Sequence, residues 1–226
     1  MIDVRFNHLN QEIPKLERVV KDGKRFYQTP KGDHYPSITT ILGEIPNKEL
    51  VKWEKRLGSE EANKQATRAA DRGTLMHGLA EAYLNNQKPE ADHPIAKRLF
   101  MSIKPLLNQI QNVRMIEKPL YSDRLRMAGT PDIIADYAKV LSVIDFKTSN
   151  RLKDESWIGH YFMQVGAYAV MYEEHFGVWP ERGVIIIANE ESNWPQIFIK
   201  DTNECFAMFK GYVRELIEYR KTQGVK

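Results

Sequence analysis

GTPDIIADYAKVLSVIDFKTSN, Gly129 to Asn150, sets isolated aspartates and a lysine into runs of β-branched and aromatic residues. Such runs read as strands, and the interruption at Ala138-Lys139 reads as the loop of a hairpin joining them. With the loop centred there, paired positions sum to 277, as 136 and 141 do, so Asp132 stands opposite Asp145 with Cβ atoms about 5 Å apart. Alternation along the second strand puts Val143, Asp145 and Lys147 on one face and Ile144, Phe146 and Thr148 on the other. Two carboxylates at that spacing on an apolar hairpin repel each other and lose solvation. A divalent cation reverses the sign of the interaction, and hard Mg²⁺ or Mn²⁺ takes carboxylate, carbonyl and water oxygens at about 2.0 to 2.2 Å. Lys147, one pleat further on, can position a reactive water or neutralise charge growing on a phosphate. Asp-x-Lys alone is a common pattern, and an edge-strand salt bridge is its competing reading. The register with Asp132 and the apolar flanks favour the metal site.

Outward from this hairpin, VRMIEKPLYS, MAGTPDIIADY and KVLSVIDFKTS read as three successive strands. Ahead of them, PKGD between RFYQT and HYPS signals a small hairpin. Asn47 can cap a helix through Arg56 that Gly58 stops, Ser59 a second ending near Gly73, and Thr74 starts LMHGLAEAYL. From His93-Pro94, Ile95, Leu99, Ile103, Leu106 and Ile110 recur at helical spacing, with Pro105 expected to kink that helix. Downstream, a helix from about Asp154 to His175 carries Trp157, Ile158, Tyr161, Phe162, Val165 and Ala169 on one broad face before Gly177. RGVIIIANE and WPQIFIKD supply two more strands, and a last helix turns Phe206, Phe209, Val213 and Leu216 inward. The order suits one α/β (α+β) domain, a mixed sheet covered by helices with an N-terminal helical lobe. Residues 1–112 form the hairpin and helical part and 113–226 the sheet core and final helix.

The chain has 226 residues and a net charge of +3, too small to imply a polyanionic partner by itself. Cys205 is the only cysteine, which excludes disulfide scaffolds, Cys-rich zinc modules and iron-sulphur clusters. Any metal therefore rests on carboxylates and histidine. No long apolar run suggests a membrane span, and MIDVRFNHLN lacks the basic start and apolar core of a secretory signal, so the expected location is cytoplasmic.

Pro131-Asp132 followed by Asp145-Phe146-Lys147 resembles the PD-(D/E)xK nuclease superfamily. Gly73, Thr74, His77 and Glu81 are similar to the G-T-x-x-H-x-x-x-E helix of its RecB-like branch, Ala128 to Asp132 to A-G-T-x-D, and Gln164 and Tyr168 to Q-x-x-x-Y. YPSITTIL, with Trp53 on the helix after it, narrows the resemblance to mitochondrial, phage and bacterial exonucleases of that branch. The matching pieces run from about Tyr35 to Tyr168. The resemblance implies a restriction-endonuclease-like core, with Asp132, Asp145 and Lys147 catalytic. It implies one or two Mg²⁺ or Mn²⁺ ions on His77, Asp132, Asp145 and the Phe146 carbonyl. His77 and Glu81, four apart, share a helix face. Glu81, Glu117, Gln164 and Tyr168 are supporting residues, although Glu117 could equally be an edge salt bridge and Gln164 and Tyr168 polar residues beside a packed helix. With no presequence matching the mitochondrial relatives, a phage or bacterial source is expected, and the host cytoplasm if the chain is phage-encoded.

Lys64, Arg68 and Arg72 recur every four residues toward the Gly73-Thr74-His77 turn, and Lys48, Lys52 and Arg56 do so on the preceding helix. They form either a wall tracking phosphates or a solvated face of ion pairs. Tyr35 and Trp53 could stack on unpaired bases or pack in the core; Thr148 joins the expected DNA contacts. The implied function is a metal-dependent DNA exonuclease on single-stranded or frayed ends, in replication, repair or recombination. A structure-specific endonuclease of the same fold and a catalytically silent DNA-binding recombination partner are the alternatives.

Overall fold

The computed structural model describes residues 5–9 and 11–224, without the side chains at 48–50 and 53. A three-stranded antiparallel sheet comes first: β1 (Glu17–Lys21), β2 (Lys24–Gln28) and β3 (His34–Pro36). The PKGD turn joins β2 to β3 as expected, while β1, too polar to stand out in the sequence, adds an outer strand through the Asp22-Gly23 turn. Ser37 caps the short α1 (Ile38–Leu42) by accepting from the Thr40 amide, and forms a parallel bridge with Ala128. YPSITTIL is thus the joint between the small sheet and the core.

Helix α2 (Lys48–Leu57) ends at Gly58, whose φ of 83° suits glycine. Next, α3 runs unbroken from Ser59 to Leu84, through Gly73 and Thr74. One long helix replaces the two expected, because Leu79, Ala80, Leu84 and Met76 bury against the core and outweigh a mid-helix glycine. Ser59 lies inside the helix, which starts at Gly58 without a side-chain cap. In α4 (Pro94–Leu107), His93 caps, and Pro105 sits in the last turn, where it removes the N–H that would otherwise bond to the Met101 carbonyl.

The three expected strands become five: β4 (Ile110–Ile116), β5 (Leu120–Ser122), β6 (Met127–Gly129), β7 (Ile133–Tyr137) and β8 (Val140–Ser149). Residue 112 lies inside β4, so the expected division there falls within a strand. A short 3₁₀ turn (Glu155–Trp157) leads into α5 (Gly159–Phe176), closed by left-handed Gly177. Trp157 precedes the helix and is 65% exposed, contrary to its expected place on the buried face. Then come β9 (Arg182–Asn189), β10 (Gln196–Asp201) and α6 (Thr202–Thr222).

The central sheet has the order β10-β9-β8-β7-β4, with β8 and β9 parallel across the α5 crossover and the other pairs antiparallel. Strand alternation feeds two cores. Ile144, Phe146, Ile133 and Ile186 face α3 and α4, while Val143, Ile134, Ile185 and Ile187 face α5 and α6. The result is a restriction-endonuclease-like α/β core with a mixed central sheet and an N-terminal lobe that combines strands with helices. Helices α5 and α6 approach so closely at Gly166 that an added Cβ would lie 2.5 Å from the backbone of Cys205. Among the described residues no helix is long and apolar enough to cross a membrane.

Candidate metal centre and active site

Strand β7 pairs with β8 in the expected register, Ile133 with Ile144 through Tyr137 with Val140. Asp132 falls one residue before that ladder and is in line with Asp145. On the other side β4 pairs Ile116 with Ile133, and the Glu117 amide donates to the Asp132 carbonyl at 3.0 Å. Glu117, Asp132 and Asp145 therefore form one row across three strands. Two local features build it. Between Gln111 and Met115 the β4 register shifts at a bulge, where Asn112 has a φ of 48° and both Asn112 and Arg114 bond to Asp136. Glu117 itself has a φ of 48°, uncommon for a residue with a Cβ, which ends β4 and turns its carboxylate toward the row.

His77 reaches the row from α3, its Nδ1 3.6 Å from Asp132 Oδ2 and 3.9 Å from Glu117 Oε1. Ligand atoms of His77, Glu117 and Asp132 lie within 4.8 Å of one another. The other Asp132 contact is local: Oδ2 accepts from the Phe146 amide at 2.6 Å. With its N–H turned to the β7 side, Phe146 has its carbonyl there too, opposite Pro131, which carries no N–H to donate. Asp145 is 1% exposed and ion-paired to Lys147, yet neither of its oxygens accepts a hydrogen bond in proper geometry. A buried carboxylate whose neighbour is the Lys147 ammonium, two further carboxylates, a carbonyl opposite proline and one imidazole make a donor set that fits a hard divalent cation. Glu117, expected in support, belongs to the group nearest His77; Asp145 lies deeper, against Lys147.

Charge in the site is finely set. Burial opposes charge on His77, but Asp132 and Glu117 outweigh it and raise its pKa. Burial likewise opposes charge on Lys147, but Asp145 and Asp132 outweigh it and hold the group an ammonium. Burial pushes the Asp145 carboxyl above the usual range against the pull of Lys147. Lys147 Nζ also lies 5.0 Å from the Tyr161 ring centroid, a contact the sequence reading did not anticipate.

Glu81 is exposed and lines the same cleft as His77 and Glu117. Gln164 and Tyr168 line its other side with Asp132, and Gln164 Nε2 donates to Tyr168 Oη at 3.2 Å. Gly129 makes room for that tyrosine, since a Cβ there would sit 2.7 Å from Tyr168 Cε1. Thr148 faces α3 beside Gly73. Of the expected DNA contacts, Arg68 is exposed, and Lys64 is exposed and paired to Glu60 at 2.8 Å. Lys52 is exposed, and the Trp53 side chain falls outside the described residues. Two expectations are corrected. Arg72 is buried, ion-paired to Glu190 at 2.5 Å and bonded to Asn150, so it ties α3 to the ends of β8 and β9 and is not open to a phosphate. Tyr35 is buried with its hydroxyl donated to Asp123, and has no face for a base. Arg18 and Arg25 of the small sheet, which the sequence reading passed over, line the cleft beside Asp132 and Glu117.

No protein-family model matches the chain. It is similar to proteins named mitochondrial genome maintenance exonuclease 1. The human protein is 25% identical over 210 residues, covering 84% of this chain and 60% of its own length. That of Xenopus tropicalis is 25% identical over 206 residues (84% and 59%), and that of Mus musculus 26% over 204 (83% and 60%). The chain thus spans about three-fifths of these relatives.

Proposed function

We propose that the chain is a nuclease of the PD-(D/E)xK superfamily, RecB-like branch, as its similarity to the mitochondrial exonucleases supports, and that it is a Mg²⁺- or Mn²⁺-dependent deoxyribonuclease, an exonuclease acting on single-stranded or frayed DNA ends. The observation that carries this reading is the row Glu117, Asp132 and Asp145 with His77 above it and Lys147 beside it. His77, Glu117, Asp132, Asp145 and the Phe146 carbonyl would hold one or two ions. A bound divalent ion supplies an activated water and charge stabilisation for phosphodiester hydrolysis.

The protein's own groups do the rest. Lys147 serves as a positive charge for the phosphate or an orienting donor for water. Burial pushes the Tyr168 phenol well above its usual range, so it stays neutral and, with Gln164, offers hydrogen bonds to a phosphate oxygen. The name carried by the relatives supports exonuclease action, and residues 1–226 are read as a single nuclease domain.

Digestion of end-labelled single-stranded, duplex and closed circular DNA with Mg²⁺, Mn²⁺ or EDTA tests this, comparing wild type with Lys147→Ala and Asp132→Asn. Expected is metal-dependent loss of linear DNA that spares circles, reduced at least 100-fold in both variants. Cutting of circles would make the protein an endonuclease. Salt-sensitive DNA binding with no cleavage under any metal would make it a binder.

A further inference from the structure

Strands β1 and β2 pair Arg18 with Tyr27 and Val20 with Arg25, so alternation puts both arginines on one face of the hairpin with Tyr27. That face is anchored at the catalytic end of the sheet, where the Tyr27 hydroxyl meets the Thr130 hydroxyl at 3.0 Å, two residues before Asp132. The Arg25 backbone is locked as well. Its N–H donates to the Thr40 hydroxyl, and its carbonyl accepts from that hydroxyl and from the Ser37 amide. Arg25 consequently stands at the junction of three hollows. One holds His77, Glu81 and Glu117; one holds Asp132, Gln164 and Tyr168; and one runs outward along the hairpin past Arg18 and Lys24.

Neither guanidinium has an ion-pair partner among the described residues, although Arg25 is half-buried. The acid of the outer hollow, Glu44, is already neutralised, its two oxygens accepting from Arg220 at 2.7 and 2.8 Å. By contrast, on α3, Lys64 and Arg72 are both committed to glutamates. A half-buried guanidinium on a fixed backbone, facing the cleft and making no ion pair there, gains from an anion that visits it, and its planar fork matches the oxygens of a phosphodiester.

We propose that Arg25 and Arg18 hold successive phosphates of the nucleic-acid strand on the hairpin, Arg25 nearest the carboxylate row and Arg18 one step outward. This rests on the nuclease reading and extends it by assigning the strand's path to the small N-terminal sheet instead of to the α3 stripe.

The test measures binding of a fluorescent single-stranded oligonucleotide in EDTA by anisotropy across a salt series, with Arg25→Ala, Arg18→Ala, Arg25→Lys and, on α3, Arg68→Ala, all checked for native thermal unfolding. Each hairpin alanine variant is expected to bind about five- to tenfold more weakly at ~0.1 M salt and to reduce the salt slope by about 0.7, the single-strand value for one phosphate contact. Arg25→Lys should recover the slope but only part of the affinity, and Arg68→Ala should match wild type. Hairpin variants with wild-type affinity and slope, while wild type cleaves DNA, would overturn the track and leave the nuclease standing. Loss of binding in the hairpin variants of a protein that never cleaves would sink the nuclease reading and leave the track. A wild type that binds no nucleic acid refutes both.

Discussion

Lys147 and Asp145 show how residue-level chemistry constrains this site. An ammonium and a carboxylate this deep gain little over an apolar pair, but removing one partner strands the other charge, at a cost of about 3 to 5 kcal/mol. Lys147→Ala is therefore expected to lower stability in EDTA by roughly 3 kcal/mol, read as a shift of the urea midpoint, with Mn²⁺ restoring part of it by replacing the lost cation. An unchanged midpoint would mean that Asp145 is protonated or hydrated in the free protein. At this scale much of the site is legible, since the strand period and one loop position put Asp132 against Asp145, and helical spacing put His77 and Glu81 together. Arg72 and Tyr35 were misread because Glu190 and Asp123, the acids that claim them, lie far along the chain and leave no local signature.

Where β4 and β7 stop is the decisive feature among the elements. Runs that read as continuous strands break at Glu117 and at Thr130-Pro131-Asp132, and the breaks free acids from the ladder. The detached β5–β6 ribbon then needs its own attachment, which Glu174 of α5 provides. It accepts from Ser122 Oγ at 2.6 Å, the Asp123 amide at 2.9 Å and Arg124 Nε at 3.1 Å. Burial pushes the Glu174 carboxyl up, but these donors outweigh it and hold its pKa below the ordinary value. A carboxylate depressed in the folded state contributes stability above its unfolded pKa, about 4.3, and loses it as pH falls through the lower folded value. Glu174→Gln should cost about 1.5 to 3 kcal/mol at neutral pH, with the gap from wild type closing below about pH 4 in denaturant titrations. A gap independent of pH would assign the loss to packing. The three-strand expectation missed this staple, as β-branched content marks where strands can form and not where tertiary contacts end them.

The whole molecule is a sheet between two helical layers, and Cys205 reports on its integrity. It is fully buried under α5, within 3.2 Å of where a Cβ on Gly183 would lie, and burial pushes its thiol up to about 12. At pH 8 only about one thiol in ten thousand would ionise even if a reagent could reach it, so labelling by a disulfide reagent should follow global unfolding and accelerate in urea with the loss of helical signal. Rapid labelling of the native protein would reveal a local opening between α5 and α6. From its sequence alone this chain determined its α/β class, the hairpin register, the two faces of β8 and the meeting of Asp132 with Asp145 beside Lys147, because those follow from the period of a strand and from the cost of burying charge, while His77 came from the family resemblance. Only the tertiary structure decided that α3 is continuous, that a bulge sets Glu117 beside Asp132, that Arg72 is spent on Glu190, and that Arg18 and Arg25 of the small sheet overlook the cleft. Each of these depends on which distant segment supplies a partner, a choice made by packing the layers together and not written in any local spacing.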